Sequence, residues 1–128
     1  MKSGNRSVPA LYGVHVAIVS VKNGKHYAWG SGCDGWHLVA SDKLSVIQER
    51  VPKGSSEVRH LHNKAEQFFY ILSGMATLEV AGVVYELRPG EGLHVPAGTA
   101  HTLSNVHEDE LTFLVISTPP SHGDRVDA

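Results

Sequence analysis

Two histidines set one residue apart in a strand-like stretch constrain this chain more than any other feature. They stand in Gly54-Ser-Ser-Glu-Val-Arg-His60-Leu-His62, which runs on through Glu66 and Gln67 into the apolar Phe68-Phe-Tyr-Ile-Leu72. In a strand, residues i and i+2 point to the same face, so His60 and His62 can aim two imidazole nitrogens at one point, as a metal needs of its first two ligands. Taken alone, the same spacing also fits two ordinary histidines.

A second stretch supplies a third histidine. Gly90-Glu-Gly-Leu-His-Val-Pro96-Ala-Gly98-Thr-Ala-His101-Thr-Leu-Ser-Asn105 sets His101 just beyond a Pro-x-Gly turn. Together the two stretches resemble the cupin family, whose first motif runs Gly, five residues, His-x-His, three or four residues, an acidic or amide ligand, six residues, Gly. Gly54, His60, His62, Gln67 and Gly74 fill it. The second motif runs Gly, five residues, Pro-x-Gly, two residues, His, three residues, Asn, and Gly90, Pro96, Gly98, His101 and Asn105 fill every position. The interval from Gly74 to Gly90 has the length of the two strands and turn that separate the motifs in a small cupin.

The fourth ligand is the point of departure. Glu66 is the residue type the family most often uses, but seven residues separate it from Gly74, whereas Gln67 keeps the spacing on both sides. A one-residue slip moves a side chain to the other sheet face, so a regular strand cannot turn both inward. The spacing favours Gln67 and leaves Glu66 as a solvent-facing carboxylate near Lys64. Three imidazoles and an amide are all neutral, and a divalent metal held by His60, His62, Gln67 and His101 would keep its full charge. Such a site favours an anionic, oxygen-donating substrate such as a carboxylate or enolate. Nitrogen and oxygen donors suit Fe, Ni, Mn, Co, Cu or Zn alike.

Composition bounds the alternatives. A chain of 128 residues is expected to form one domain, with a core over about residues 10–118, an N-terminal arm at 1–9 and a C-terminal tail at 119–128. Thirteen glycines suit a strand-rich protein with many turns, and a net charge of -2 without a basic cluster argues against nucleic-acid binding. The lone Cys33 permits no intrachain disulfide, and no run approaches the ~20 apolar residues of a membrane helix. A cytoplasmic protein without membrane or nucleic-acid partners is the expectation.

Along the chain, Val14–Val21 is rich in β-branched residues and reads as a buried strand, followed by an Asn23-Gly24 hairpin turn. His15 and His26 read as surface or structural histidines. Trp29–His37 packs two tryptophans and three glycines into what reads as an irregular stretch, a barrel cap or a lid offering Trp29 or Trp36 to a ligand. Cys33 reads as a small buried thiol. Strands follow at Leu38–Ala40, Leu44–Val51, Ala76–Val80, Val83–Leu87, Leu93–Val95 and Leu111–Ser117, and if Gln67 faces inward so do Phe69 and Ile71. His94 lies between motif positions, and Asn105 reads as a structural amide. The tail from Thr118 has no strand or helix period. It resembles, with the Cys-Asp-Gly-Trp stretch and the Gln-Phe-Phe-Tyr strand, a group of small single-barrel cupins.

Regular strands between Gly and Pro turns predict an all-β fold, a single antiparallel jelly-roll β-barrel, and the resemblance implies the same RmlC-like architecture. A metal-dependent enzyme acting on a small polar, anionic metabolite by isomerase, lyase or dioxygenase chemistry is the leading expectation. The alternative is a non-enzymatic module binding a sugar or small metabolite. An open sheet edge predicts a homodimer.

Overall fold

The computed structural model describes residues 16–128. Eleven strands occur among them: β1 (Lys25–Trp29), β2 (Cys33–Ala40), β3 (Ser45–Val51), β4 (His60–His62), β5 (Glu66–Ser73), β6 (Ala76–Val80), β7 (Val83–Leu87), β8 (Gly92–Val95), β9 (His101–Ser104), β10 (Leu111–Thr118) and β11 (Arg125–Asp127). They pair antiparallel throughout, in a six-stranded sheet of order β1-β2-β3-β10-β5-β8 and a five-stranded sheet of order β11-β4-β9-β6-β7. The architecture is the expected all-β jelly roll. Its two sheets face each other without closing into one continuous ladder.

Strict alternation decides what lies between the sheets. On β10, Leu111, Phe113, Val115 and Ser117 are buried and the residues between them are not; β5 buries Gln67, Phe69 and Ile71 in the same way. Phe69, Ile71, Leu78, Leu103, Leu111 and Phe113 form the centre of the core. Each such side chain contributes roughly 1.5–3 kcal/mol on leaving water. The buried Asn105 fastens the loop after β9: its amide Nδ2 donates to the Val51 and Asp109 carbonyls at 2.9 Å each, and its Oδ1 accepts the His107 N–H. This is the structural role its sequence position implies.

Three expectations need correction. Residues 16–20 belong to no strand, and Val16 and Ile18 are exposed; Val14 and His15, like the arm at 1–9, lie outside the described residues. β-Branched content favours a pleated, half-buried setting and does not by itself create a ladder partner. Asn23 instead closes a loop: its Oδ1 accepts the Ser20 N–H and its Nδ2 donates to the Ile18 carbonyl. Second, Trp29–His37 is no irregular stretch, because β1 and β2 form a hairpin across it, with Tyr27 paired to Gly35 and Trp29 to Cys33. Trp29 packs on the core and Trp36 on the His26 ring. Third, the tail carries β11, which adds to β4 through Arg125↔His62, Val126↔Leu61 and Asp127↔His60.

Candidate metal centre

β4 and β9 bring the three motif histidines together. His60 lies directly across from His101 in the β4–β9 pair, and His62 shares the inward face of β4 with His60. All three are buried, and one nitrogen from each falls within 4.8 Å of the others. The ring centroids of His60 and His101 are 4.6 Å apart, those of His60 and His62 4.9 Å.

Backbone contacts fix two of the rings. His60 Nδ1 lies 2.6 Å from the Val58 carbonyl and His101 Nδ1 2.9 Å from that of Thr99. A carbonyl only accepts, so each Nδ1 carries the proton and each Nε2 presents a lone pair. Such hydrogen bonds are the usual support of a metal-binding imidazole. Burial lowers the pKa of all three rings, that of His60 to about 4, so the lone pairs are free at neutral pH.

Gln67 and Glu66 separate as strand alternation requires. Gln67 is buried on the inner face of β5, and its Nε2 donates to Ser117 Oγ at 2.9 Å. Glu66 is exposed, and its partner is His94 at 2.8 Å rather than Lys64. That pair also places His94 outside the cavity. His26 is likewise a surface residue, 2.7 Å from Asp34. Cys33 is a free, buried thiol whose pKa burial raises.

A cavity of about 280 Å³ lies between the sheets and is lined by His60, His62, Gln67 and Phe69 among others. A broader depression of about 930 Å³ adjoins it, sharing Tyr27, Ile47 and the tail residues Ser121, His122 and Gly123. The larger space touches none of the three clustered histidines, whereas the smaller one is lined by His60 and His62. The donor set fits a cation. His62 Nδ1, His101 Nε2 and Gln67 Oε1 are buried without a hydrogen-bond partner, and a buried lone pair left unmatched costs about 1–3 kcal/mol.

Sequence reasoning passed over three further residues on the same cavity: Tyr27, Glu49 and Glu57. Burial, opposed by the Tyr27 hydrogen bond, raises the Glu49 pKa to about 7. Burial first, then the charge of Glu49, raises that of Glu57 to about 8. The available signal was alternation: Ile47, Glu49 and Val51 share one face of β3, and Val51 is fully buried. Both carboxyls hold protons more tightly folded than unfolded, so their stabilising effect is complete below the ordinary glutamate range and is lost as pH rises through about 7 and 8. Between about pH 6.5 and 9 the metal-free protein should lose on the order of 2 kcal/mol in urea unfolding. A Glu49→Gln/Glu57→Gln variant should lack that fall; an equal fall in both proteins contradicts the assignment.

Residues 47–117 match the family model described as a cupin domain. An uncharacterised protein of Methanocaldococcus jannaschii is 32% identical over 83 residues, 64% of this chain and 66% of that one. Quercetin 2,3-dioxygenase of Bacillus subtilis is 40% identical over 57 residues, 44% of this chain but 17% of the enzyme. Among solved structures, a polyketide cyclase from Streptomyces resistomycificus superposes with a TM-score of 0.76 at 20% identity, covering 88% of this chain and 84% of the cyclase. That last likeness is one of fold.

Proposed function

The chain belongs to the cupin family, and on that premise we propose that it is a metal-dependent enzyme acting on a small anionic metabolite. His60, His62 and His101 would hold a divalent transition metal, with Gln67 as a fourth, neutral donor. The observation that carries this reading is the convergence of three buried, neutral imidazoles, two of which line the cavity between the sheets. A metal so held supplies a Lewis acid able to polarise a carbonyl or carboxylate oxygen.

The remaining work falls to the chain itself. The Val58 and Thr99 carbonyls orient two of the rings. Phe69 and Val115 give the cavity apolar wall, and the Arg125 guanidinium lines it as a cation for an anionic group. Its volume lies at the lower end of small-molecule sites, which supports a substrate of few atoms.

Elemental analysis of protein purified without a histidine tag or chelator tests the proposal. About one transition metal per chain is expected. A protein that stays metal-free after reconstitution with Fe, Ni, Mn, Co, Cu and Zn would instead favour direct contact between the histidines and an organic ligand.

Association with a second copy belongs to the same reading. β7 ends the five-stranded sheet and exposes Val83, Val84 and Tyr85, an apolar strand edge of the kind that pairs between chains. Light scattering is expected to give twice the 13.8 kDa chain mass, and a particle of 13.8 kDa at micromolar concentration would contradict it.

A further inference from the structure

The cavity has a second chemical wall. Glu49 comes from β3 in the six-stranded sheet, whereas His60, His62 and His101 come from β4 and β9 in the other. Tyr27 Oη donates to Glu49 Oε2 at 2.6 Å. The phenol has a purpose-made seat: Tyr27 pairs with Gly35 across β1 and β2, and a Cβ on Gly35 would overlap the Tyr27 ring and its oxygen. Glycine weakens a strand interior, and its presence there marks a close approach. Glu49 Oε1 has no hydrogen-bond partner among the described residues, so one oxygen is tied and the other is free in a residue that lines the cavity.

We propose that Glu49 is the catalytic base of this cavity, with Tyr27 as its positioning residue, and that the substrate is a small anion with a C–H bond next to a carbonyl. This rests on the metal-centre reading above. The C–H bond breaks and its proton passes to Glu49 Oε1. The electron pair left behind forms the C=C bond of an enolate, and the charge settles on the carbonyl oxygen, on the histidine side. Where the deprotonated carbon bears a hydroxyl, passage of that hydroxyl's proton to the former carbonyl oxygen and return of the abstracted proton to the former carbonyl carbon complete an isomerisation; where the carbon on its other side bears a leaving group, departure of that group with its bonding pair completes an elimination. Neither course consumes an oxidant or a reductant.

The groups around Glu49 agree with that role. Tyr27 on β1 contacts it; Glu57 before β4, His60 and His62 on β4, Arg125 on β11 and His122 on the tail share its cavity, and Cys33 on β2 feels its charge; its cross-strand neighbours, Phe113 on β10 and Gly35 on β2, are apolar. A base with an affinity for protons near neutrality can both take and return one at physiological pH. Glu57 is bound differently, with Oε1 accepting the Leu103 N–H at 2.9 Å, and it titrates as a neighbour of Glu49.

The test uses zinc-loaded protein and oxalate, a planar dianion resembling an enolate of a keto acid. Its charge beside Glu49 should draw in about half a proton at pH 7, read by calorimetry in buffers of different ionisation enthalpy. Glu49→Gln should bind oxalate with that uptake at least halved. Tyr27→Phe removes a donor to the carboxylate and should move the uptake to higher pH. Oxalate binding with no uptake, or equal uptake in wild type and Glu49→Gln, overturns the proposal. If zinc and oxalate both fail to bind, the metal-centre reading has failed. Carbon-13 NMR of the glutamates in the metal-free protein then decides for Glu49: a signal titrating near pH 7 and absent from Glu49→Gln upholds the base, and one titrating at ordinary glutamate values overturns it.

Discussion

Replacing His60 and His101 together by alanine is expected to lower bound metal from about one per chain to less than about a tenth, with the fold retained. The two residues lie opposite each other in the β4–β9 pair, so the double change empties the centre of the donor set and leaves His62 and Gln67 alone. Neither histidine is part of the apolar core cluster, and the lone pair each offers the metal is not among the hydrogen bonds holding the strands. Circular dichroism of the metal-free form should still show a folded β protein, with a lower melting temperature because two buried rings and their hydrogen bonds to the Val58 and Thr99 carbonyls are lost. A double variant that still purifies with stoichiometric metal would remove the basis for the site. The fourth position gives a graded version of the same test. Gln67→Ala should weaken metal affinity about tenfold, whereas Glu66→Ala loses only an exposed pair with His94, worth about 0.2–1 kcal/mol, and should leave affinity nearly unchanged. The reverse ranking would show that β5 is read in the wrong register.

The largest effect on stability is expected at Gly74. Its φ of +77° is a conformation that a side chain disfavours, and a Cβ there would run into the Glu110 carbonyl oxygen and the Leu111 Cα. Both obstacles are backbone, and Leu111 is fully buried, so the neighbour has little room to give. Gly74→Ala should cost about 3 kcal/mol or more in urea unfolding. Gly98, also at positive φ but with open space around it, should lose only about 1 kcal/mol on the same change. Equal costs at the two sites would show that backbone angle alone matters and that the contact at Gly74 does not.

Local pattern and long-range placement divide what could be read from the chain. The histidine face, the inward turn of Gln67 and the positions of Phe69 and Ile71 follow from period-two alternation, which is local, and all appear in the fold. Asn105 was legible because an amide at that spacing has few other uses. Residues 16–20 show the converse: strand-like composition forms no strand there. The β1–β2 hairpin was hidden because Gly35, a poor strand residue, is needed by Tyr27, and that need exists only once the two are paired. Glu49 was passed over for a similar reason. A glutamate between Gln48 and Arg50 reads as solvent-facing, and only the second sheet makes its face an interior one.

The addition of β11 to β4 ties the order of the last residues to the occupancy of the centre. Arg125 pairs with His62 and Asp127 with His60, Asp124 Oδ2 accepts the Lys64 and Ala65 N–H groups, and the Ala128 N–H reaches the Arg59 carbonyl. Whatever steadies β4 steadies this segment as well, and the dependence is reciprocal. Amide exchange at Val126 should slow when the centre is filled, and a protease should cut this segment of the emptied protein sooner. A protease ladder can therefore report on an ion that the enzyme never touches.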